Sequence, residues 1–178
     1  LFFYFQLNSP LVLNRDSLVK NVLSYENASG NINTKGFETN VKIGFKDVKL
    51  FTFYSFIDTK RDYFNLNNQI PLTARHRAGA ILMWEKEDNF RLGYEVYYTG
   101  SQQLSDNTAT RDYVTMGLMG EKKWGKFSIY ANFENFLDVR QSRWQAMFGG
   151  TIQNPQFVQD IYAPTDGRVI STGEKIKL

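Results

Sequence analysis

The sequence contains no cysteine and a single histidine, His76, among its 178 residues. The missing thiols exclude a disulfide framework and a thiolate metal site. One imidazole does not make a metal centre, and His76 stands in ARHRA between Arg75 and Arg77, whose charges oppose a cation there. A histidine-based catalytic triad has no other base to draw on. Long apolar runs are missing too. The longest, AGAILMW from Ala78 to Trp84, falls far short of the roughly twenty residues a membrane helix requires. Charge of one sign is nowhere concentrated: 21 Lys and Arg interleave with 18 Asp and Glu, unlike the footprint of a nucleic-acid binder. FGGT and ASGN hold glycines but lack the lysine of a phosphate loop. No catalytic residue, metal, cofactor or nucleic-acid partner is therefore expected.

What the chain does have is aromatic residues, 16% of the total, despite a mean hydropathy of −0.41. They recur with a period of two. In NFRLGYEVYYTG, Phe90, Leu92, Tyr94, Val96 and Tyr98 fall on one side of a strand and Arg91, Gly93, Glu95, Tyr97 and Thr99 on the other. KFSIYANFEN divides into Phe127, Ile129, Ala131 and Phe133 against Ser128, Tyr130, Asn132 and Glu134. KGFETNVKIGF divides into Phe37, Thr39, Val41, Ile43 and Phe45 against Glu38, Asn40, Lys42 and Gly44. VKLFTFYSFID has aromatics on both sides, and its pattern alone does not orient it. The opening LFFYFQLNSPLVLN has neither an initiator Met nor a basic lead-in and reads as a strand entered in mid-course, so an incomplete chain is expected.

Short charged or glycine-bearing turns are expected at FKDV, EKEDN and KKWGK. Long polar connections separate them, at 60–73, 100–110 and 138–167. About eight strands of roughly ten residues result, longer than the five or six usual in soluble sheets. A tilted strand crosses a bilayer in roughly nine to eleven residues, and strands in lipid must close into a barrel to pair every peptide group. Apolar-out and polar-in strands, with short turns at one end and long loops at the other, are the marks of an antiparallel transmembrane β-barrel. Trp84, Tyr97, Tyr98, Tyr113, Trp124 and Phe136 stand near the expected strand ends, where amphipathic rings meet headgroups.

YENASGNINTKGFETNVKIGF resembles a descending strand of the TonB-dependent outer-membrane receptors, through Asn27 or Asn31 and the triplet Gly36, Phe37, Glu38. IPLTARHRAGAILMWEKEDNFRLGYEVYYTG is similar to the family's proline-led hairpin, with Pro71 ahead of the basic stretch. FENFLDVRQ resembles its Asn-Leu-x-Asp element, carried by Asn135, Phe136, Leu137 and Asp138, although Gln141 replaces the usual Tyr. DGRVISTGEKIKL resembles the closing strand, led by Gly167 and Arg168 and ending on Leu178 where the family has Phe. The resemblance implies about eight C-terminal strands, residues 1–178, of a 22-stranded barrel that encloses a plug. It implies the bacterial outer membrane, with long loops outside the cell. Its partners would be outer-membrane lipid, the remaining barrel and plug, and TonB acting through that plug. The function implied is TonB-energised uptake of a scarce ligand, whether siderophore, vitamin or oligomeric nutrient.

On that reading Lys35, Glu38, Lys42, Arg91, Glu95, Tyr97, Glu121 and Lys175 are expected to face the lumen. Trp84, Tyr98, Tyr113, Trp124 and Phe136 are expected at the membrane interfaces. The loop aromatics Trp144, Phe148, Phe157 and Tyr162 either hold a ligand or pack the loop on itself, packing being the expectation. Two alternatives make distinct demands. A self-contained eight-stranded outer-membrane protein, adhesive or structural, would pair residues 1–13 with 168–178. A soluble lipid-binding barrel would turn the aromatic face inward.

Overall fold

A computed structural model describes residues 1–13, 24–63, 68–157 and 160–177. Eight antiparallel strands form one continuous sheet: β1 (Phe2–Asn8), β4 (Asn31–Phe45), β5 (Val48–Arg61), β6 (His76–Lys86), β7 (Phe90–Thr99), β8 (Tyr113–Trp124), β9 (Phe127–Glu134) and β12 (Val169–Ile176). Two short hairpins lie in the connections, one from β2 (Leu11–Leu13) and β3 (Tyr25–Asn27), the other from β10 (Phe148–Gly150) and β11 (Pro155–Phe157). Strands β4 to β8 are 10 to 15 residues long, whereas β1, β9 and β12 reach only 7 or 8. Leu178, expected to close the last strand, lies outside the described residues.

The three expected tight turns are present. Lys46 and Asp47 join β4 to β5, Glu87 to Asn89 join β6 to β7, and Gly125 and Lys126 join β8 to β9. Each needs a left-handed residue to reverse the chain, supplied by Lys46 at φ 50°, Asp88 at φ 54° and Gly125 at φ 59°. The opposite ends of the same strands feed the long connections 62–75, 100–112 and 135–168.

Register between strands runs without a bulge from β4 through β8, so residue parity decides the face everywhere. One face carries Phe37 to Phe45, Val48 to Phe56, His76 to Trp84 and Phe90 to Tyr98 at alternate positions, each a stretch of about nine residues. These stretches match one another strand by strand. β5, which its own pattern left unoriented, is oriented by its neighbours: Leu50 pairs with Ile43 and Leu82, putting Phe51 and Phe53 on the opposite face. Phe53 and Tyr97 lie over Gly79 there, where a Cβ would come within 2.3 Å of the Phe53 ring.

Among the described residues no second layer covers the apolar face. Among the described residues the buried apolar side chains are Ala28, Ala74, Leu104 and Ala163, all in connections rather than in the sheet. Ile43, Phe45, Trp84, Leu118 and Trp124 are 47–71% exposed. A contiguous greasy sheet of this extent is not left bare by monomers that live in water.

Candidate functional site

The face opposite the apolar one carries most of the charged residues of the strands, beside the Phe51 and Phe53 rings. Lys49 on β5 reaches Glu85 on β6 at 3.0 Å, and Glu85 takes Arg91 of β7 at 2.6 Å. Arg91 also stands 3.9 Å from Glu121 on β8, whose carboxylate accepts the Ser128 hydroxyl of β9 at 3.1 Å. The chain of partners crosses five strands near the short-turn end. Arg91 and Glu85 close across the Glu87–Asn89 turn, and Arg91 and Glu121 are direct ladder partners. The side chains of Glu85 and Glu121 are 19% and 11% exposed, so Glu121 depends on that guanidinium and Glu85 shares it with Lys49. Higher on the same face, Tyr97 donates its hydroxyl to Glu95 at 3.0 Å, and Glu95 lies over Gly117.

The long connections are knitted together above the sheet. Gln141 is fully buried, and its carbonyl oxygen accepts the amides of Tyr162 at 2.9 Å and Ala163 at 3.4 Å. Its amide donates to the Asp160 carbonyl at 2.9 Å and to Gln145 at 3.1 Å. The Trp144 indole donates to the Tyr162 hydroxyl at 2.8 Å, and the Arg111 guanidinium lies 4.9 Å from the Trp144 ring centre. Two connections are joined here. Gln102 and Tyr113 both donate to the Tyr162 carbonyl, at 3.1 and 3.0 Å, and Ser105 donates its amide and hydroxyl to Asp160.

The Asn135–Asp138 element is the hinge of this platform. Asn135, at φ 48°, bonds Val139 through both side-chain atoms, at 2.9 and 3.0 Å, and reaches the carbonyls of Asp166 and Gly167. Asp138, at φ 58° and nearly buried, holds Arg140 and Arg143 at 2.9 and 2.7 Å. Gly167 has to be a glycine, because a Cβ would sit 2.3 Å from the Asp138 carboxylate. The element thus fixes where the last long connection leaves the sheet and where it returns.

A family model described as TonB dependent receptor-like, beta-barrel, matches residues 3–136. The chain belongs to the TonB-dependent receptor β-barrel family. This receptor sheet has the fold of the ferric yersiniabactin uptake receptor FyuA from Yersinia pestis, with TM-score 0.69 and 16% identity over 98% of this chain and 26% of that one. It has also the fold of the ferric-catecholate import receptor Fiu from K12 E. coli in its closed form, with TM-score 0.66, 13% identity, and coverage of 98% and 24%. The chain spans about a quarter of each of these receptors. A comparison with curated protein sequences finds no match.

In the receptor sheet, Glu38, Lys42, Arg91, Glu95, Tyr97, Glu121 and Lys175 share the charged face. Arg91 meets Glu121 and Tyr97 meets Glu95, while Glu38, Lys42 and Lys175 form no ion pair among the described residues. Lys35 does not belong with them. It pairs with Asp58 in the ladder, two residues beyond Phe37 and on Phe37's face. The odd parity that makes Phe37 apolar-side carries Lys35 with it; its charge suggested the other side, and strand geometry overrules charge.

The ring positions divide similarly. Trp84, Tyr98 and Trp124 lie on the apolar face, Trp84 edge-on to Phe90 at 4.8 Å and Trp124 stacked on Phe127 at 6.1 Å. Phe136, just past β9, lies 6.0 Å from Phe133. Tyr113 pairs with Thr99 on the charged face and spends its hydroxyl on the loop platform. His76 is on the apolar face, its Nδ1 2.7 Å from the Tyr54 hydroxyl. The sequence places Ser128 only on the polar side of its strand and Glu85 only in the EKEDN turn, and it singles out no role for Lys49; the six-residue offset of Glu85 and Arg91 about that turn is the readable sign.

Proposed function

We propose that the chain is the C-terminal portion of an outer-membrane receptor barrel, its apolar face toward lipid and its charged face toward the lumen. The whole receptor takes up a scarce ligand with energy delivered through TonB. Members of this receptor family work in the outer membrane. The observation that carries the reading is the bare apolar face, about nine residues tall on strand after strand, backed by a face of ion pairs. A hydrocarbon layer covers such a face at no cost, and nine to eleven tilted residues suffice to cross it.

A soluble lipid-binding barrel requires the opposite arrangement, with charge outside and rings inside. A self-closed eight-stranded barrel requires β1 to meet β12. Among the described residues, β1 pairs with β4 and β12 with β9, and neither pairs with the other. Glu38, Lys42, Arg91, Glu95, Tyr97, Glu121 and Lys175 then line the interior beside the remaining wall and plug. The loop platform around Gln141, Trp144 and Tyr162 stands at the outer mouth. Ferric chelates are the first ligands to test, given the names of the two structural relatives.

Two measurements test this on the intact receptor. Spin labels at Leu92 and Arg91 should differ, the first accessible to oxygen dissolved in lipid and the second to a water-soluble relaxant. Equal accessibility at both sites overturns the membrane reading. Uptake of labelled ferric chelates by cells carrying the receptor should stop when TonB is removed, and uptake that continues without it overturns the energised role.

A further inference from the structure

The apolar face stops abruptly at its long-loop end on β4 and β5. Its last tier is aromatic: Phe37 lies 5.8 Å from Phe2, 5.6 Å from Tyr54 and 5.9 Å from Phe56, and Phe56 lies 5.2 Å from His76. One ladder step beyond it, on the same face, Lys35 stands opposite Asp58, and one step further Asn33 stands opposite Lys60. β1 places Tyr4 opposite Lys35 and Gln6 opposite Asn33.

The cations of this patch are only loosely held. Asp58 is 11% exposed and is engaged by Arg75 at 3.1 Å, leaving Lys35 at 4.0 Å with a side chain 68% exposed. Lys60 has no carboxylate at ion-pair distance among the described residues. The polar neighbours, by contrast, are fixed. The Tyr4 hydroxyl donates to Asn33 at 3.0 Å, and the Asn33 amide donates to Asp62 at 2.8 Å. Neighbouring strands stand about 4.8 Å apart, so the two lysines, on adjacent strands and one ladder step apart, can address a single anionic group.

We infer that this patch holds the phosphate-bearing headgroup of an outer-leaflet glycolipid, with Lys35 and Lys60 on the phosphate and the Tyr4, Gln6 and Asn33 side chains beside its sugar. The inference rests on the membrane reading given above. Parity excludes a ligand in the lumen, because these side chains project to the side of Phe37 and Phe56. Height selects a headgroup, because the patch begins where the aromatic tier ends. An ammonium on a four-carbon stem suits the place, since its methylenes lie along the rings while its charge reaches the phosphate plane.

The test uses the intact receptor in nanodiscs of phosphatidylethanolamine mixed with diphosphorylated lipid A, reading retained lipid by native mass spectrometry. The wild type should keep lipid A, and K35Q/K60Q should lose about twentyfold in retention, from about fivefold for each surface lysine. K123Q, on the charged face, should retain it fully, and lipid A stripped of phosphate should not be kept by any form. Retention by K35Q/K60Q equal to wild type overturns the proposal, as does displacement of the lipid by inorganic phosphate alone, which marks a general anion site. Heat-shifted gel mobility confirms that each variant is folded. If the labels at Leu92 and Arg91 segregate while lipid retention is indifferent to the lysines, only this inference fails; if they do not segregate, the membrane reading fails first.

Discussion

The Arg91 guanidinium lies 2.6 Å from the Glu85 carboxylate on the adjacent strand and is the link on which a five-strand chain of partners hangs. Removing it leaves Glu121 without its cation and Glu85, two strands away, with Lys49 alone. R91A should lower barrel stability by about 1–2 kcal/mol, discounted from the value of a buried pair because the arginine is itself 35% exposed. Urea unfolding of the intact receptor in vesicles measures this. Adding E121Q to R91A should recover part of the loss, and a double variant no better than R91A contradicts the linkage.

Leu82 and Ile81 are sequence neighbours on opposite faces, halfway along β6. L82R puts a guanidinium into the middle of the apolar band and should cost about 2–4 kcal/mol in the same vesicle assay. I81R puts it beside Glu95, its ladder partner, and should cost far less. Equal penalties remove the basis for assigning the faces.

Q141L removes the acceptor for the Tyr162 and Ala163 amides and the donor to Asp160 at a site with no solvent. Each orphaned group costs about 1–3 kcal/mol, and the cost falls on the loop rather than the sheet. Hydrogen exchange should quicken at Tyr162 and Ala163 while the β6–β8 amides stay protected. Unchanged protection at Tyr162 rules out the hub role.

The Thr108 hydroxyl, at 2.7 Å, and then its amide, at 2.9 Å, donate to Asp106 in the 100–112 connection and hold that carboxyl below its ordinary range. A lowered value means that the turn is favoured above the ordinary carboxylate pKa and loses its support as pH falls through the lowered one. The Thr108 amide resonance of the receptor in micelles should titrate below the midpoint of an unstructured aspartate. A midpoint at the ordinary value, or T108V leaving it unmoved, contradicts this.

Much of the sheet was legible because period two and tight-turn chemistry are local. Phe90 to Tyr98, the Lys46–Asp47 turn and the glycine-bearing Gly125–Lys126 turn needed nothing beyond adjacent residues. β5 is not legible alone, since Phe51 and Phe53, the latter over Gly79, stand on the charged face and mimic a second apolar side; only the ladder to β4 and β6 resolves it. Lys35 misleads in the opposite way, its charge pointing to one face and its parity to the other. Tyr113 looked like an interfacial ring because it starts a strand, whereas its hydroxyl is claimed by a carbonyl 49 residues away. The same distance hid the loop platform: Gln141 stood out only as a departure from a family pattern, and its partners 19 to 22 residues on gave no local sign.

Among the described residues, β1 and β12 each have a strand alongside on one side only. Along the other margin a row of peptide donors and acceptors seeks company, and any extended segment of suitable length can answer. Produced alone, this sheet would serve as a template for edge-to-edge growth along both margins, so its handling in the laboratory calls for a chaperone or a capping strand supplied in trans.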